Sequence, residues 1–130
     1  MRPPIVVTGD GDALVFDSPE AVGWYLEWMD VEDGLYRAWD SEGLPLALEV
    51  TREKRKRRWL PGETTIEIVV VREGSCRELV PDELRQELVK YLGGVGEESG
   101  ELFAAPLSEL IAKAKARFGP NPRHGWTPRP

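Results

Sequence analysis

Cysteine and histidine are almost missing from this sequence, and their scarcity excludes several kinds of site. The chain has one cysteine, Cys76, so no disulfide can form within it. Its one histidine, His124, lies in a proline-rich C-terminal tail, which leaves the folded part without a Ser-His-Asp or Cys-His nucleophile pair. So few ligands cannot assemble a zinc site. We therefore expect no metal site and no cofactor, and we interpret Cys76 as an ordinary free thiol.

Long hydrophobic runs are missing as well. No apolar stretch approaches the ~20 residues that a membrane-spanning helix needs. The first residues lead directly into Ile5–Val7, which is too short for the apolar part of a signal peptide. Because a lone cysteine fits a reducing compartment, the sequence predicts a cytoplasmic protein with no membrane contact. With 130 residues, of which 41% are hydrophobic, the chain is long enough for one globular domain with a substantial core.

Charge is distributed unevenly along the chain, whose net charge is −6. Residues 1–50 contain eleven acidic and two basic side chains, a net of −9. Residues 51–130 contain twelve acidic and fifteen basic ones, a net of +3. An acidic surface attracts a basic partner and repels nucleic acid. Solubility alone explains an acidic half equally well.

The middle of the chain is rich in β-branched and aromatic residues that alternate with polar ones, a pattern typical of antiparallel strands. Two of these strands, Leu44–Thr51 and Thr64–Val71, flank a hairpin with a turn at Pro61-Gly62. Their apolar faces do not align across a two-residue loop, so we expect a bulge or a longer loop. Four consecutive apolar residues, Ile68–Val71, predict a strand that is covered on both faces.

Helical signals occur in three places. Ser18 and Pro19 form a typical helix start, and the apolar residues that follow recur at helical spacing: Val22, Tyr25, Leu26 and Met29. Further helices are predicted at 81–93 and at about 106–118, with a glycine-rich loop at 93–100. With an opening hairpin at 5–17, these patterns predict an α+β fold, an antiparallel sheet of about five strands with three helices packed on it. We expect a single domain at 1–119, followed by a flexible tail at 120–130.

Trp24 does not fit the buried face of the first predicted helix. At 100° per residue it lies about 140° from the middle of the apolar stripe. A tryptophan in that position is either covered by a neighbouring hairpin, which is the commoner arrangement, or available to a partner.

A basic run follows the strand Leu44–Thr51 and interrupts an otherwise acidic protein. Runs of this kind can bind nucleic acid. This one has no interleaved aromatic residues and belongs to a chain with an isoelectric point near 4.9, which makes nucleic acid the less favoured partner. The other interpretation is a solvated hairpin extension whose cations meet Glu63, Glu67 or the acidic half. The basic residues of the run are Arg52, Lys54, Arg55, Lys56, Arg57 and Arg58.

Three segments carry a resemblance to a known class of protein: Phe16–Glu20, Val31–Gly34 and Trp39–Gly43. Their succession of short strand, helix, acidic connection and hairpin resembles small bacterial immunity proteins of polymorphic-toxin and contact-dependent growth inhibition systems. The resemblance implies a cytoplasmic, non-catalytic protein that binds and neutralises a toxin domain. Since many toxin domains are basic nucleases, an acidic surface suits such a partner. The predicted contact residues are Trp24, Asp30, Glu32, Asp33, Asp40 and Glu42.

Two other functions remain open. A nucleic-acid-binding or ribosome-associated protein would use the basic run and would bind with steep salt dependence. A small enzyme would need a pair of carboxylates as acid and base. Nothing specific in the sequence points to that enzyme.

Overall fold

Five antiparallel strands form one sheet in the spatial order β2-β1-β3-β4-β5. The structure is a computed structural model and describes residues 1–57, 59–97 and 99–117. Its strands are β1 (Ile5–Gly9), β2 (Asp12–Phe16), β3 (Arg37–Trp39), β4 (Pro45–Lys56) and β5 (Glu63–Glu73). Its helices are α1 (Pro19–Tyr25), α2 (Trp28–Glu32), α3 (Pro81–Gly94), α4 (Ser99–Ala104) and α5 (Leu107–Arg117). The predicted α+β class is confirmed, while Arg58 and the predicted tail at 120–130 lie outside the described residues.

Helices cover both faces of the sheet, because strands β1 and β2 place apolar side chains on alternate faces. Ile5 and Val7 face one side, where they pack with Phe16, Val22 and Leu26 against α1. The even positions of β1 face the other side, where α3, α4 and α5 complete a second core. The largest fully buried members of that second core are Val6, Val15, Trp39, Leu84, Leu88, Leu92, Leu102 and Leu110.

The first predicted helix is broken in two. Ser18 caps α1 by accepting a hydrogen bond from the Ala21 amide at 3.2 Å, as the sequence predicts. The helix then stops, because Leu26 adopts an extended conformation, and α2 starts in a new direction at Trp28. The break keeps Leu26 buried while α2 turns to lie over β4 and β5. The prediction that Met29 belongs to the buried stripe is therefore wrong, and its side chain is 51% exposed.

The hairpin of β4 and β5 extends well beyond the rest of the sheet. The two strands pair from Leu46 with Glu73 to Lys56 with Glu63, so the connection between their paired ends is longer than two residues, which is one of the two expected arrangements. Since only Pro45 and Leu46 of β4 also pair with β3, the remainder is two-stranded. We call its outer part, residues 53–66, the basic arm. The basic run therefore lies mainly in a strand.

Coverage of β5 differs from the prediction. Val69 and Val71 are buried against α1, but Ile68 and Val70 on the opposite face are only half-buried. The reason is that the second core contains no residue of β4 or β5, so the C-terminal helices leave this part of the sheet uncovered.

The C-terminal helices α3 and α5 match the predicted segments closely. Between them, α4 occupies part of the stretch predicted as a loop and the residues after it, and it is anchored by the buried Leu102. Among the described residues, no helix is long and apolar enough to cross a membrane.

Candidate functional site

Asp40 is a structural residue. It is 2% exposed, and its carboxylate accepts hydrogen bonds of 2.9 Å from the amides of Arg2, Glu42 and Leu44. The same turn holds the start of α3, since the Val80 amide donates to the carbonyl of Gly43 at 2.8 Å. Buried and bonded in this way, Asp40 presents almost no surface to a partner, so its predicted role as a partner-binding residue is untested and we leave it out of the surface proposed below.

The other predicted acids fall into two separate groups. Glu42 lies at the turn between β3 and β4, where it forms an exposed ion pair with Arg2 at 3.0 Å. The acids of α2 lie at the opposite end of the sheet. Glu32 of α2 forms an ion pair with Arg52 of β4, and Arg52 lies six residues beyond Leu46, where β4 pairs with β3. Six residues of strand span roughly 20 Å. The structure therefore does not bring all six predicted residues onto one surface.

On α2 the acids have different environments. Glu32 holds Arg52 at 2.6 Å, and the Arg52 guanidinium also lies 5.6 Å from the centre of the Trp28 ring. Asp30 lies near Tyr36, whose pKa is raised first by burial and then by the charge of Asp30. Asp33 is exposed at the end of the helix.

Trp24 lies at the rim of a groove between the first two helices and the β4–β5 hairpin. Its side chain is 43% exposed, and the groove has a volume of about 520 Å³. We call this feature the Trp24 groove. Its lining combines aromatic, sulfur-containing and aliphatic side chains with charged ones: Trp24, Leu26, Glu27, Trp28, Met29, Arg55, Ile66, Glu67 and Ile68. The acids of α2 follow directly after this lining in the chain.

Gly23 explains how α1 comes to stand beside the outer strand. A Cβ atom at this position would lie 2.5 Å from the carbonyl oxygen of Val69, closer than any side chain tolerates. Glycine therefore lets the helix backbone approach β5 directly and cover part of its open edge. A second depression of about 250 Å³, also bordered by Trp24, runs on along β5 to Val71.

The basic arm exposes its cations on both faces. Lys54 and Lys56 share one face and Arg55 lies on the other, since successive side chains of a strand alternate. Arg55 lies 3.4 Å from Glu53. Within the part of the chain that the structure describes, Lys54, Lys56 and Arg57 form no ion pair. At the tip, Trp59 is 86% exposed and Leu60 is 61% exposed.

A third concave region lies at the turn between β1 and β2. It has a volume of about 400 Å³, and its lining includes Asp10, Asp12, Glu87 and Lys90. Glu87 lies 3.7 Å from Arg37, so its carboxylate is already paired. No group of three or more histidine, cysteine or acidic side chains suited to a metal occurs among residues 1–57, 59–97 and 99–117.

Sequence reasoning found Trp24 and the basic run but not the groove between them. Ile66 and Ile68 read as ordinary strand residues, and Met29 as a core residue. The only pattern in this part of the sequence is the helical spacing of apolar residues, and that pattern does not indicate the break at Leu26. Trp59 follows the basic run directly, and its position at the loop could have suggested an exposed aromatic residue.

Comparison with known proteins adds no relative: no family model, no curated protein and no solved structure matches this chain.

Proposed function

We propose that this protein is a non-catalytic binding protein of the immunity type, which holds a toxin domain in the Trp24 groove. The observation that carries the proposal is the groove itself, a depression of mixed polar and apolar surface with exposed Trp24 and Met29 beside the acids of α2. The cytoplasm is the compartment in which such a protein would meet its toxin.

The composition of the groove is that of a protein-binding site. Tryptophan and arginine are the residues that most often dominate the free energy of protein association, and methionine adapts its shape to a partner. An exposed tryptophan beside half-buried isoleucines of the edge strand β5 offers an anchor and an apolar border. These features support a macromolecular partner over a small substrate, because the groove is open along the edge of β5.

Acidic side chains on α2 add selectivity for a basic partner. Asp30 and Asp33 retain their predicted roles, together with Glu32, whose carboxylate is shared with Arg52. Charges at the rim of an interface mainly accelerate association and exclude like-charged proteins. Glu42 is left out of the revised surface because it lies at the far end of the sheet.

Affinity capture with the wild-type protein and two variants tests the proposal. The protein is used as bait in lysate of its source cell, with nuclease treatment and washes at low and high salt. We expect one stoichiometric protein to be retained by the wild type and lost with Trp24→Ala. Phe103→Ala is the matched control, since Phe103 is 70% exposed on α4, across the sheet from the groove. The captured protein should be toxic when expressed alone and harmless when co-expressed with the wild type.

Association kinetics with the purified partner test the acidic rim. Reversing the charge of Glu27, Asp30 and Asp33 to lysine should slow association by at least tenfold at low salt, the range that electrostatic steering covers. Retention of the partner by Trp24→Ala, or a captured protein that is not toxic, would count against the proposal.

A further inference from the structure

The basic arm shares only Arg55 and Ile66 with the lining of the Trp24 groove, and the groove does not explain its other cations. Residues 53–66 carry five basic and two acidic side chains, a net of +3, so the rest of the chain has a net charge of −9. A short segment of one sign on a body of the other sign is unexpected if its only purpose is solubility. We propose that the tip of this arm is a binding site for single-stranded nucleic acid.

The cations are arranged to follow a phosphate backbone. Lys54 and Lys56 lie two residues apart on one face, about 7 Å along the strand. Arg55 lies on the opposite face, and Arg57 begins the loop. A strand of nucleic acid that passes the tip therefore meets positive charge from more than one side.

Trp59 gives the tip a second recognition element. Trp59 is 86% exposed at the end of the arm, and among the described residues it follows Arg57 directly. Unpaired bases stack on such rings whatever their sequence, and stacking beside a basic track is the usual arrangement in proteins that bind single strands. Acidic side chains offer negative charge but no aromatic faces, and bases within a duplex are already stacked. The combination of cations and tryptophan therefore favours a single strand.

The acidic body does not prevent this binding. Among the described residues, Arg52 is the outermost one of β4 with an ion pair or cation–π contact to a helix, through Glu32 and Trp28. From there to Lys56 is about 13 Å of strand at 3.3 Å per residue. The screening length at physiological ionic strength is about 8 Å. Beyond that distance a nucleic acid at the tip is largely screened from the negative charge of the body.

Fluorescence anisotropy of a labelled single-stranded 12-mer of uridine or thymidine tests the proposal on the full-length protein. Four phosphate contacts, to Lys54, Arg55, Lys56 and Arg57, predict a salt slope of about −2.8. The affinity should then fall about 50-fold between about 50 and about 200 mM salt. Quenching of tryptophan fluorescence should accompany binding.

Variants locate the site. Lys54→Gln with Lys56→Gln should halve the salt slope, so that the same increase in salt weakens binding only about 7-fold. Trp59→Ala should weaken binding about 5- to 150-fold at constant salt, because one stacking contact is lost. The matched control, Arg77→Gln with Lys90→Gln, removes two exposed cations elsewhere and so has the same net charge as the lysine double variant. It should leave the salt slope and the affinity for the oligonucleotide unchanged.

Four results would overturn the proposal: no binding at about 50 mM salt, an equal loss with the control pair, tighter binding to a duplex of the same sequence, or equal binding to poly-glutamate. Trp24→Ala separates this site from the proposed partner groove. It should abolish capture of the protein partner and leave the affinity for the oligonucleotide unchanged, so the two proposals can fail independently.

Discussion

Replacing Asp40 tests the claim that this acid is part of the framework and not of a binding surface. Its two carboxylate oxygens accept three backbone hydrogen bonds, from Arg2, Glu42 and Leu44, each 2.9 Å long. Asp40→Ala leaves three amide groups without their acceptor inside the fold. The turn also carries the start of α3 through the bond between Gly43 and Val80, so its loss affects both cores.

The expected cost follows from these three bonds. An unsatisfied buried donor costs about 1–3 kcal/mol. Arg2 and Glu42 are exposed residues, so water can reach part of the turn, and the total should be well below the sum of three maximal penalties. We expect Asp40→Ala to lower the free energy of unfolding by about 3 kcal/mol. Asp40→Asn keeps one acceptor oxygen but turns an NH₂ group towards an amide, and should cost about 1–2 kcal/mol.

Urea denaturation followed by circular dichroism measures these values. A loss of about 3 kcal/mol moves the midpoint by about 1–2 M for a domain of this size. Glu42→Gln is the control, because its exposed ion pair with Arg2 is worth at most about 1 kcal/mol. If Asp40→Ala were no more destabilising than Glu42→Gln, the structural role of Asp40 would be refuted.

Two further predictions concern the first helix. Gly23→Ala should destabilise the protein by about 1–2 kcal/mol in thermal or urea unfolding, because overpacking against the Val69 carbonyl outweighs the better helix propensity of alanine. Gly94→Ala at the end of α3, where a Cβ meets no atom within 4 Å, should be neutral or stabilising, and equal effects at the two positions would contradict the argument. Ser18→Ala should cost about 1 kcal/mol through loss of the N-cap bond, and Ser18→Asp should restore most of it if the cap is the cause.

Local rules were sufficient for most of the fold. The start of α1 at Ser18 and Pro19, the ends of α3, and the opening hairpin follow from capping, periodicity and turn residues, and each lies where those rules place it. The loop of the β4–β5 hairpin was correctly expected to be long, because the alternation of apolar residues fixes which side chains share a face. These features depend on neighbours within a few residues.

Features that depend on tertiary contacts could not be predicted from the sequence. The helix ends at Leu26 and its backbone approaches Val69 at Gly23, and no local signal in the sequence marks either feature. Asp40 looks like its exposed neighbour Glu42 in sequence, yet one is buried and the other is not. The predicted contact surface therefore included a turn residue, Asp40, that is part of the framework. It remains a prediction at Trp24.

The two proposed sites have a common structural origin in the excess length of β4 and β5. β3 pairs with only the first residues of β4, so the hairpin leaves the sheet with one face covered by α1 and α2 and the other open. Where the hairpin leaves the sheet, α1 and α2 lie against it, and the Trp24 groove forms between these helices and the hairpin. Farther out, no helix follows, and the strands carry lysine and arginine on surfaces that apolar residues would make prone to aggregation. A shorter hairpin would remove the basic arm and, from the lining of the Trp24 groove, Arg55 and Ile66. It would leave the two cores intact, because neither core contains a residue beyond Val69 towards the tip. Deleting residues 53–66 and closing the hairpin with a two-residue turn should therefore abolish binding of the oligonucleotide and leave the free energy of unfolding nearly unchanged.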